Sequence, residues 1–251
     1  MKTLMSIVSL FVCVASTASM AAPSVLTPAQ QKAVDARVHQ YLKDHPKAVF
    51  DALVEFRKQS MAQERSEAQQ AIVKHAQAIY HSSTSPVLGN PKGPVTVVEF
   101  LDYRCGHCRE MAPVIEQLVK SDPSVRVVIK ELPIFSGESL EAAKMALAAD
   151  KQAGFKSFHQ AVLTTDRPIN ADTLNALAIQ SGLNIKQLKS TMKTPSIQKE
   201  IDQNMALARA LKLMGTPAFI IGNPDHPEHS SIVPGAVSLN QLKELIKKAH
   251  S

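Results

Sequence analysis

The sequence predicts an α/β protein in which a small mixed sheet lies between helices, carries a helical insertion and follows a separate helical segment. Three observations support this prediction. Residues 27–80 lack glycine and place apolar side chains at helical spacing. Two β-branched runs, residues 95–101 and 125–134, flank a helix-forming run. A long helical stretch and two short strands follow, an order typical of a mixed sheet covered by helices.

The composition is that of a globular protein without a nucleic-acid partner. Of the 251 residues, 45% are hydrophobic and 20% are charged, which argues against wholesale disorder. The net charge of +6 comes from basic residues spread along the chain, as on an ordinary solvated surface. There is no tryptophan, so we expect no aromatic platform for nucleic acids or sugars.

Residues 1–21 have the pattern of a secretory signal peptide. Lys2 precedes an apolar run over residues 4–15, and small residues before Ala22 predict cleavage after Ala21. The apolar run is too short for a permanent membrane anchor. Cys13 is a poor lipoprotein acceptor, because Val12 before it is not small. We expect export to the periplasm, and the sequence leaves open whether the protein also associates with the outer membrane.

Residues 22–80 are predicted to form a helical dimerisation segment. Thr27 and Pro28 are a typical helix start, and Pro46 begins a second helix. This helix has a broken apolar stripe and cannot bury itself, so it packs either on the following domain or on a copy of itself. We expect the second arrangement. The predicted contact residues are Val49, Phe50, Leu53, Phe56 and Met61.

The Ser/Pro/Gly-rich residues 81–94 predict a linker to a domain over residues 95–251. In this domain the first strand runs into a helix that begins with the sequence CGHC, and a second strand follows. A helical insertion is expected at about 137–213. Two short strands, residues 217–222 and 231–236, precede a last amphipathic helix.

Signal cleavage leaves two cysteines, Cys105 and Cys108, in the stretch FLDYRCGHCREMAP. A disulfide between them would close almost no loop, so a structural staple is a poor explanation. A structural zinc site needs four ligands, and this pair supplies two. A metal site therefore requires histidines or a second copy of the chain, and we keep it as the alternative.

Redox chemistry explains the pair best. The spacing lies within reach of a disulfide without backbone movement. Cys105 is predicted at a helix N-terminus, where the helix dipole favours its thiolate. His107 between the cysteines, together with Arg104 and Arg109, adds positive charge. We expect Cys108 to be more buried and to act as the resolving thiol.

Two further features fit this chemistry. Glu99 is the one ionisable residue of the first strand, and it is either a proton relay for the thiols or a strand-end residue facing solvent. Thr216 and Pro217 precede a later strand. A cis bond between them would present the backbone of Thr216 to a substrate peptide beside the cysteines.

These motifs resemble the DsbA family of exported thiol–disulfide oxidoreductases, which have a thioredoxin fold with a helical insertion. The resemblance spans about residues 86–250 and rests on VVEFLDYRCGHCREMAP, SLEAAKMALAA, GFKSFHQAVLTT, GTPAFIIGN and VPGA. It implies that Cys105 is the nucleophile, Cys108 the resolving thiol and Glu99 a buried proton relay. It also implies that Thr216–Pro217 is a cis-proline substrate loop and that no cofactor is needed beyond a Cys105–Cys108 disulfide.

Three departures from the archetypal DsbA pattern bear on whether the protein introduces disulfides or isomerises them. Gly106–His107 stands in place of Pro-His and resembles the dipeptide of eukaryotic protein disulfide isomerase. Thr216 stands before the proline, where DsbA has valine and the DsbC-type isomerases have threonine. The N-terminal extension resembles that of the Com-type dimeric DsbA-like proteins. The resemblance thus implies a homodimer that introduces and isomerises disulfides in exported cysteine-containing proteins. A membrane protein of DsbB or DsbD type would be its redox partner. The alternative is an exported metal-binding or envelope-associated structural protein that uses the thiols as ligands.

Overall fold

A computed structural model of the protein describes residues 26–135 and 137–250. The predicted signal peptide, Cys13 and the predicted cleavage site after Ala21 lie outside these residues. Within the two described ranges, no helix is both long and apolar enough to cross a membrane.

The chain divides into two compact units, with the boundary between Gln59 and Ser60. The first unit contains helix α1 (Pro28–Asp44) and the beginning of helix α2 (Pro46–Tyr80). The Thr27 side chain caps α1 by accepting the N–H of Gln30, whose own side chain accepts the N–H of Thr27. All side chains described in the first unit are exposed, including its apolar ones.

This boundary differs from the predicted one, which placed a linker at residues 81–94. The second unit begins within α2, because Ile72, Ile79 and Tyr80 are buried against the sheet. The end of α2 therefore packs on the sheet, which was the alternative to the expected self-association of this helix. The predicted linker also contains a short strand, β1 (Val87–Gly89), which pairs antiparallel with a longer strand.

The second unit contains a five-stranded mixed sheet of order β1-β3-β2-β4-β5. Strands β2 and β3 are parallel, and the other neighbouring pairs are antiparallel. Strand β2 is buried along its whole length, which explains its almost continuous β-branched sequence. Strand β3 ends before the predicted residue 134, because Pro133 has no N–H for the ladder. The four strands after β1 are β2 (Val95–Leu101), β3 (Val125–Glu131), β4 (Ala218–Gly222) and β5 (Ser231–Pro234).

Helices cover both faces of the sheet. One face packs against α3, α9 and most of the insertion, and the other against the end of α2 and α8. Side chains of a strand alternate between the two faces, so Glu99 lies on the α3 face with Val97 and Leu101. The helices that follow α2 are α3 (Gly106–Ser121), α4 (Glu138–Asp150), α5 (Phe155–Thr164), α6 (Ala171–Gln180), α7 (Ile185–Met192), α8 (Pro195–Ala210) and α9 (Leu239–Ala249), with a short 3₁₀ helix at Pro227–His229.

Candidate active site

The two cysteines lie where strand β2 passes into helix α3. Cys105 is the N-cap residue of α3, and its N–H donates to the carbonyl of Asp102 at 3.0 Å. Cys105 is 7% exposed, whereas Cys108, one turn further along the helix, is 0% exposed. Both thiols are free, so the structure represents the dithiol form. This placement agrees with the predicted difference in burial between the two sulfurs.

The loop before strand β4 lies against Cys105. The Cys105 thiol donates a hydrogen bond to the backbone carbonyl of Thr216, with a sulfur–oxygen distance of 3.1 Å. The peptide bond between Thr216 and Pro217 is cis. The predicted nucleophile and the predicted substrate loop therefore meet in the fold.

Cys108 is a thiol that holds its proton. Burial raises the pKa of Cys108 above its ordinary value, and negative charge on Cys105 and Glu99 raises it further. The backbone of Asp102 and the Thr216 side chain act in the opposite direction. Because the net effect favours the neutral thiol, deprotonation of Cys108 requires a base nearby.

Glu99 is buried near that thiol. It is 3% exposed, which excludes the alternative of a strand-end residue facing solvent. Burial raises the pKa of Glu99 to about 8. The side chain lines a cavity of about 30 Å³, which is large enough for one water molecule. Glu99 therefore changes its protonation state near neutral pH, as a proton relay requires.

The basic residues of the motif have other partners. His107 is exposed, and its Nδ1 lies 2.9 Å from Glu110 Oε2. Arg104 forms an ion pair of 3.0 Å with Glu138, and Arg109 donates to the carbonyl of Thr165. Gly106 is also exposed, and a Cβ atom at this position would meet no atom within 4 Å.

Asp102 is a site residue that the sequence reasoning missed. Its carboxylate accepts hydrogen bonds from the Arg104 N–H at 2.8 Å, the Phe135 N–H at 3.2 Å and the Ser139 hydroxyl at 2.8 Å. It therefore ties the cysteine loop to the start of α4. An aspartate directly after a buried strand is a signal that would have identified it, because such side chains often accept nearby backbone N–H groups.

A buried cluster beside the cysteines was also missed. Tyr103 Oη lies 2.9 Å from Glu131 Oε1 and 2.9 Å from His159 Nδ1, and all three residues are buried. Burial raises the pKa values of Glu131 and Tyr103 and lowers that of His159 to about 3. A second glutamate at the end of an apolar strand was the available signal, but its partners come from distant parts of the chain.

The predicted self-association residues are exposed, as a free interface would be. Phe56 is 67% exposed and Met61 is 54% exposed, and Val49, Phe50 and Leu53 are exposed as well. Four of them belong to the first unit, and Met61 belongs to the second. In the part of the chain that the structure describes, no group of three or more His, Cys, Asp or Glu side chains is arranged to hold a metal ion.

A mixed sheet that leads into a Cys-x-x-Cys helix, faced by a cis-proline loop, defines a thioredoxin-like thiol–disulfide oxidoreductase. Residues 96–247 match the family described as DSBA-like thioredoxin domain. The chain belongs to this family. The predicted fold and family are thereby confirmed, and the Com-type subgroup stays a prediction.

Individual relatives agree with this assignment. The thiol:disulfide interchange protein DsbA of Bordetella parapertussis is 25% identical over 148 residues, which are 57% of this chain and 70% of that protein. A thioredoxin-like oxidoreductase from Silicibacter pomeroyi is 37% identical, covers 69% of this chain and 96% of its own, and has a TM-score of 0.65. A protein from Salmonella enterica described as periplasmic and thioredoxin-like is 29% identical, with coverages of 70% and 95% and a TM-score of 0.62.

Proposed function

We propose that this protein is a periplasmic thiol–disulfide oxidoreductase that introduces and isomerises disulfide bonds in exported proteins, acting as a homodimer. The observation that carries the proposal is the contact between the Cys105 thiol and the Thr216 carbonyl, with Cys108 buried behind it. The Cys105–Cys108 disulfide is the redox group, and no further cofactor is proposed. The predicted signal peptide and the periplasmic Salmonella relative support the location.

Oxidation of a substrate is proposed to proceed through a mixed disulfide at Cys105. A substrate thiolate attacks the Cys105 sulfur, and Cys108 leaves as a thiolate that takes up a proton. A second substrate thiolate then attacks the substrate sulfur of the mixed disulfide, and Cys105 leaves as a thiolate. The substrate has lost two electrons and the cysteine pair has gained them. A membrane partner of DsbB type would take these electrons onward.

Isomerisation is proposed to start from the reduced pair. The Cys105 thiolate attacks a wrong substrate disulfide and forms the same kind of mixed disulfide. Another substrate thiolate then displaces Cys105, so that the substrate disulfide has moved without net oxidation. A membrane partner of DsbD type would keep the pair reduced. Cys105 caps the start of α3 and is the less buried of the two cysteines, so it is the proposed point of attack in both reactions.

The Thr216–Pro217 loop is proposed to bind the substrate backbone. In the dithiol form the Thr216 carbonyl accepts the Cys105 S–H. A mixed disulfide has no S–H at Cys105, so the carbonyl becomes free to accept an N–H of the substrate peptide. Gly106 is exposed next to Cys105 and adds no side chain to the approach of the substrate. Glu99 is proposed to exchange the proton of Cys108.

A second copy of the chain is the proposed partner of the first unit. Every side chain described there is exposed, and the apolar ones include the large Phe50, Leu53 and Phe56. An exposed apolar helix face of this kind marks an interaction surface. A dimer would also place two cysteine sites in one assembly, which suits a substrate that must be held while it rearranges. A monomeric mass in light scattering of the mature protein would contradict this part of the proposal.

Trapping of mixed disulfides tests the exchange reaction. In the Cys108→Ala variant the Cys105 mixed disulfide cannot be resolved internally, so covalent complexes with envelope proteins should accumulate and disappear on reduction. The double variant with Cys105→Ala is the matched control and should trap nothing. The absence of complexes from Cys108→Ala, together with stoichiometric zinc or copper in the purified protein, would favour the metal-binding alternative. The redox state of the pair in the cell distinguishes the two activities: an oxidised pair indicates an oxidase, a reduced pair an isomerase, and a mixture of the two states indicates both.

A further inference from the structure

A second cavity lies on the face of the sheet opposite the cysteines, between the end of α2 and helix α8. Lys130 of strand β3 lines it, on the same side of the strand as Val128, which packs in the layer of α2 and α8. The cavity has a volume of about 740 Å³, which is within the range of pockets for small organic ligands. The loop after α2 contributes the hydroxyl-bearing residues Ser82, Ser83 and Thr84.

Lys130 is a buried cation that leaves most of its hydrogen-bonding capacity unused. It is 2% exposed. An ammonium group has three N–H donors, and the one hydrogen bond that Lys130 makes to a described residue joins Nζ to the Ser85 hydroxyl oxygen over 2.8 Å. Lys130 forms no ion pair with any residue that the structure describes. A buried ammonium group in this state lacks acceptors, and an anion in the cavity would supply them.

Glu200 is the one acidic residue among the described residues that line this cavity, and its carboxylate already has other donors. It is 4% exposed and accepts the hydroxyl of Ser85 at 2.6 Å and the hydroxyl of Thr84. Burial lowers the pKa of Lys130 to about 8, although the charge of Glu200 acts in the opposite direction, and Arg126 lowers this pKa as well. The glutamate therefore compensates the buried lysine only in part.

Further basic side chains surround Lys130 in the cavity. Lys74 and His75 belong to α2, His81 follows this helix, and Lys199 belongs to α8. Within the described part of the chain, none of these four side chains has a hydrogen-bond or ion-pair partner. The lining thus has three lysines and one glutamate, a net charge of +2 with neutral histidines. Unpaired lysines around a polar cavity are suited to bind an oxyanion.

We propose that this cavity binds a phosphate-type oxyanion, either free or as the head group of a small organic molecule, with Lys130 and Lys199 as its principal contacts. The proposal is independent of the exchange chemistry at the cysteines. Phosphate oxygens are strong acceptors that several ammonium and hydroxyl donors can share. The cavity is larger than a single tetrahedral anion requires, and Ala78, Ala206 and Leu207 make part of its wall apolar. This leaves room for an organic group attached to the phosphate.

Titration calorimetry of the mature protein at low ionic strength tests the site, with phenyl phosphate and inorganic phosphate as the probes. We expect saturable binding of one probe molecule per chain. Lys130→Met removes the buried charge and keeps an unbranched side chain, so phenyl phosphate should bind at least roughly tenfold more weakly. Lys199→Ala should weaken binding as well. Lys243→Ala is the matched control and should bind as the parent does, because it removes an exposed lysine of α9, on the other face of the sheet.

The two probes distinguish the sources of the oxyanion. Tighter binding of phenyl phosphate supports a phosphate ester as the ligand, and equal affinities support the free anion. Two results would overturn the site. One is the absence of saturable binding for both probes. The other is equal weakening by Lys199→Ala and Lys243→Ala, because surface charge alone would then attract the probes.

A measurement on the unsubstituted protein keeps the proposal testable if Lys130→Met does not fold. The carbon-13 signal of Lys130 Cε is followed from pH 6 to 10, with and without phenyl phosphate. A bound oxyanion favours the ammonium form, so the midpoint should rise above its starting value of about 8. An unchanged midpoint at a saturating concentration of the probe would show that Lys130 does not contact the anion, and the proposed site would be wrong.

Discussion

The Cys105 thiol donates a hydrogen bond to the Thr216 carbonyl over 3.1 Å, although the two residues are 111 positions apart in sequence. The contact follows from the antiparallel pairing of β2 and β4, in which Phe100 is opposite Ala218. The end of one strand and the start of the other therefore lie at the same edge of the sheet. The cysteine motif leaves from the first, and the Thr216–Pro217 loop enters the second.

Replacement of Glu99 by glutamine should stabilise the reduced protein at alkaline pH. Burial raises the pKa of Glu99 from 4.5 to about 8, so the folded state binds more protons than the unfolded state between these values. The contribution of Glu99 to stability is complete below pH 4.5 and falls as the pH rises to 8. The free energy of unfolding of Glu99→Gln, relative to that of the parent protein, should thus rise by as much as ~4 kcal/mol between pH 5 and pH 8. Urea unfolding of the reduced protein at both pH values measures this, and an equal effect at the two would contradict the raised pKa.

Loss of the Asp102 carboxylate should loosen the cysteine loop. Asp102→Ala leaves the Arg104 N–H, the Phe135 N–H and the Ser139 hydroxyl without their acceptor. We expect a loss of about 3 kcal/mol in the free energy of unfolding, since an unsatisfied buried group costs about 1–3 kcal/mol. Asp102→Asn keeps one carbonyl oxygen and should lose about 1 kcal/mol. Ser139→Ala is the control for a single lost donor, and a loss in Asp102→Ala no larger than in Ser139→Ala would refute the triple contact.

A proline at position 106 should be tolerated and stabilising. Gly106 is the first residue of α3, where proline is favoured, and the open space around it accepts a larger residue. Cys105 has ψ of 119°, which is compatible with a following proline. Gly106→Pro should raise the free energy of unfolding of the reduced protein by about 0.4–1 kcal/mol through the unfolded state.

A second glycine provides the contrast for this prediction. Gly182 has φ of +77°, in the left-handed region, and it also has open space around it. Gly182→Ala should therefore destabilise the protein for backbone reasons alone. Denaturant unfolding of the two variants side by side checks whether the free energy of unfolding rises in Gly106→Pro and falls in Gly182→Ala. A destabilised Gly106→Pro would show that the start of α3 needs the flexibility of glycine.

A charge in the exposed apolar face of the first unit should abolish self-association. Leu53 is 55% exposed in the described chain, and a glutamate there would be buried without a partner in the proposed dimer. Leu53→Glu should give the mass of a monomer in light scattering at concentrations where the parent protein is a dimer. Val73→Glu is the matched control, because Val73 is 47% exposed on the same helix but is not one of the predicted contact residues. The prediction fails if both variants keep the parent mass, or if both lose it.

The sequence predicted those features that depend on neighbouring residues. The Cys-x-x-Cys spacing places both sulfurs on one helical turn wherever that helix lies, and Thr27 caps a helix by bonding three residues ahead. Strand β2 is identifiable because burial on both faces selects an unbroken apolar run. Strand β1 was missed because three residues carry no periodicity, and its hydrogen bonds come from β3.

Tertiary structure decided which buried groups meet. The burial of Glu99, the division of the chain within α2 and the Glu131–Tyr103–His159 chain all depend on elements that are far apart in sequence. A glutamate has the same side chain at a wet strand end and in a closed core, and only the packing around it sets its pKa. The sequence by itself thus determined the reactive pair and the order of the elements. The fold determined what surrounds the sulfurs, because desolvation and hydrogen bonding are properties of the assembled core.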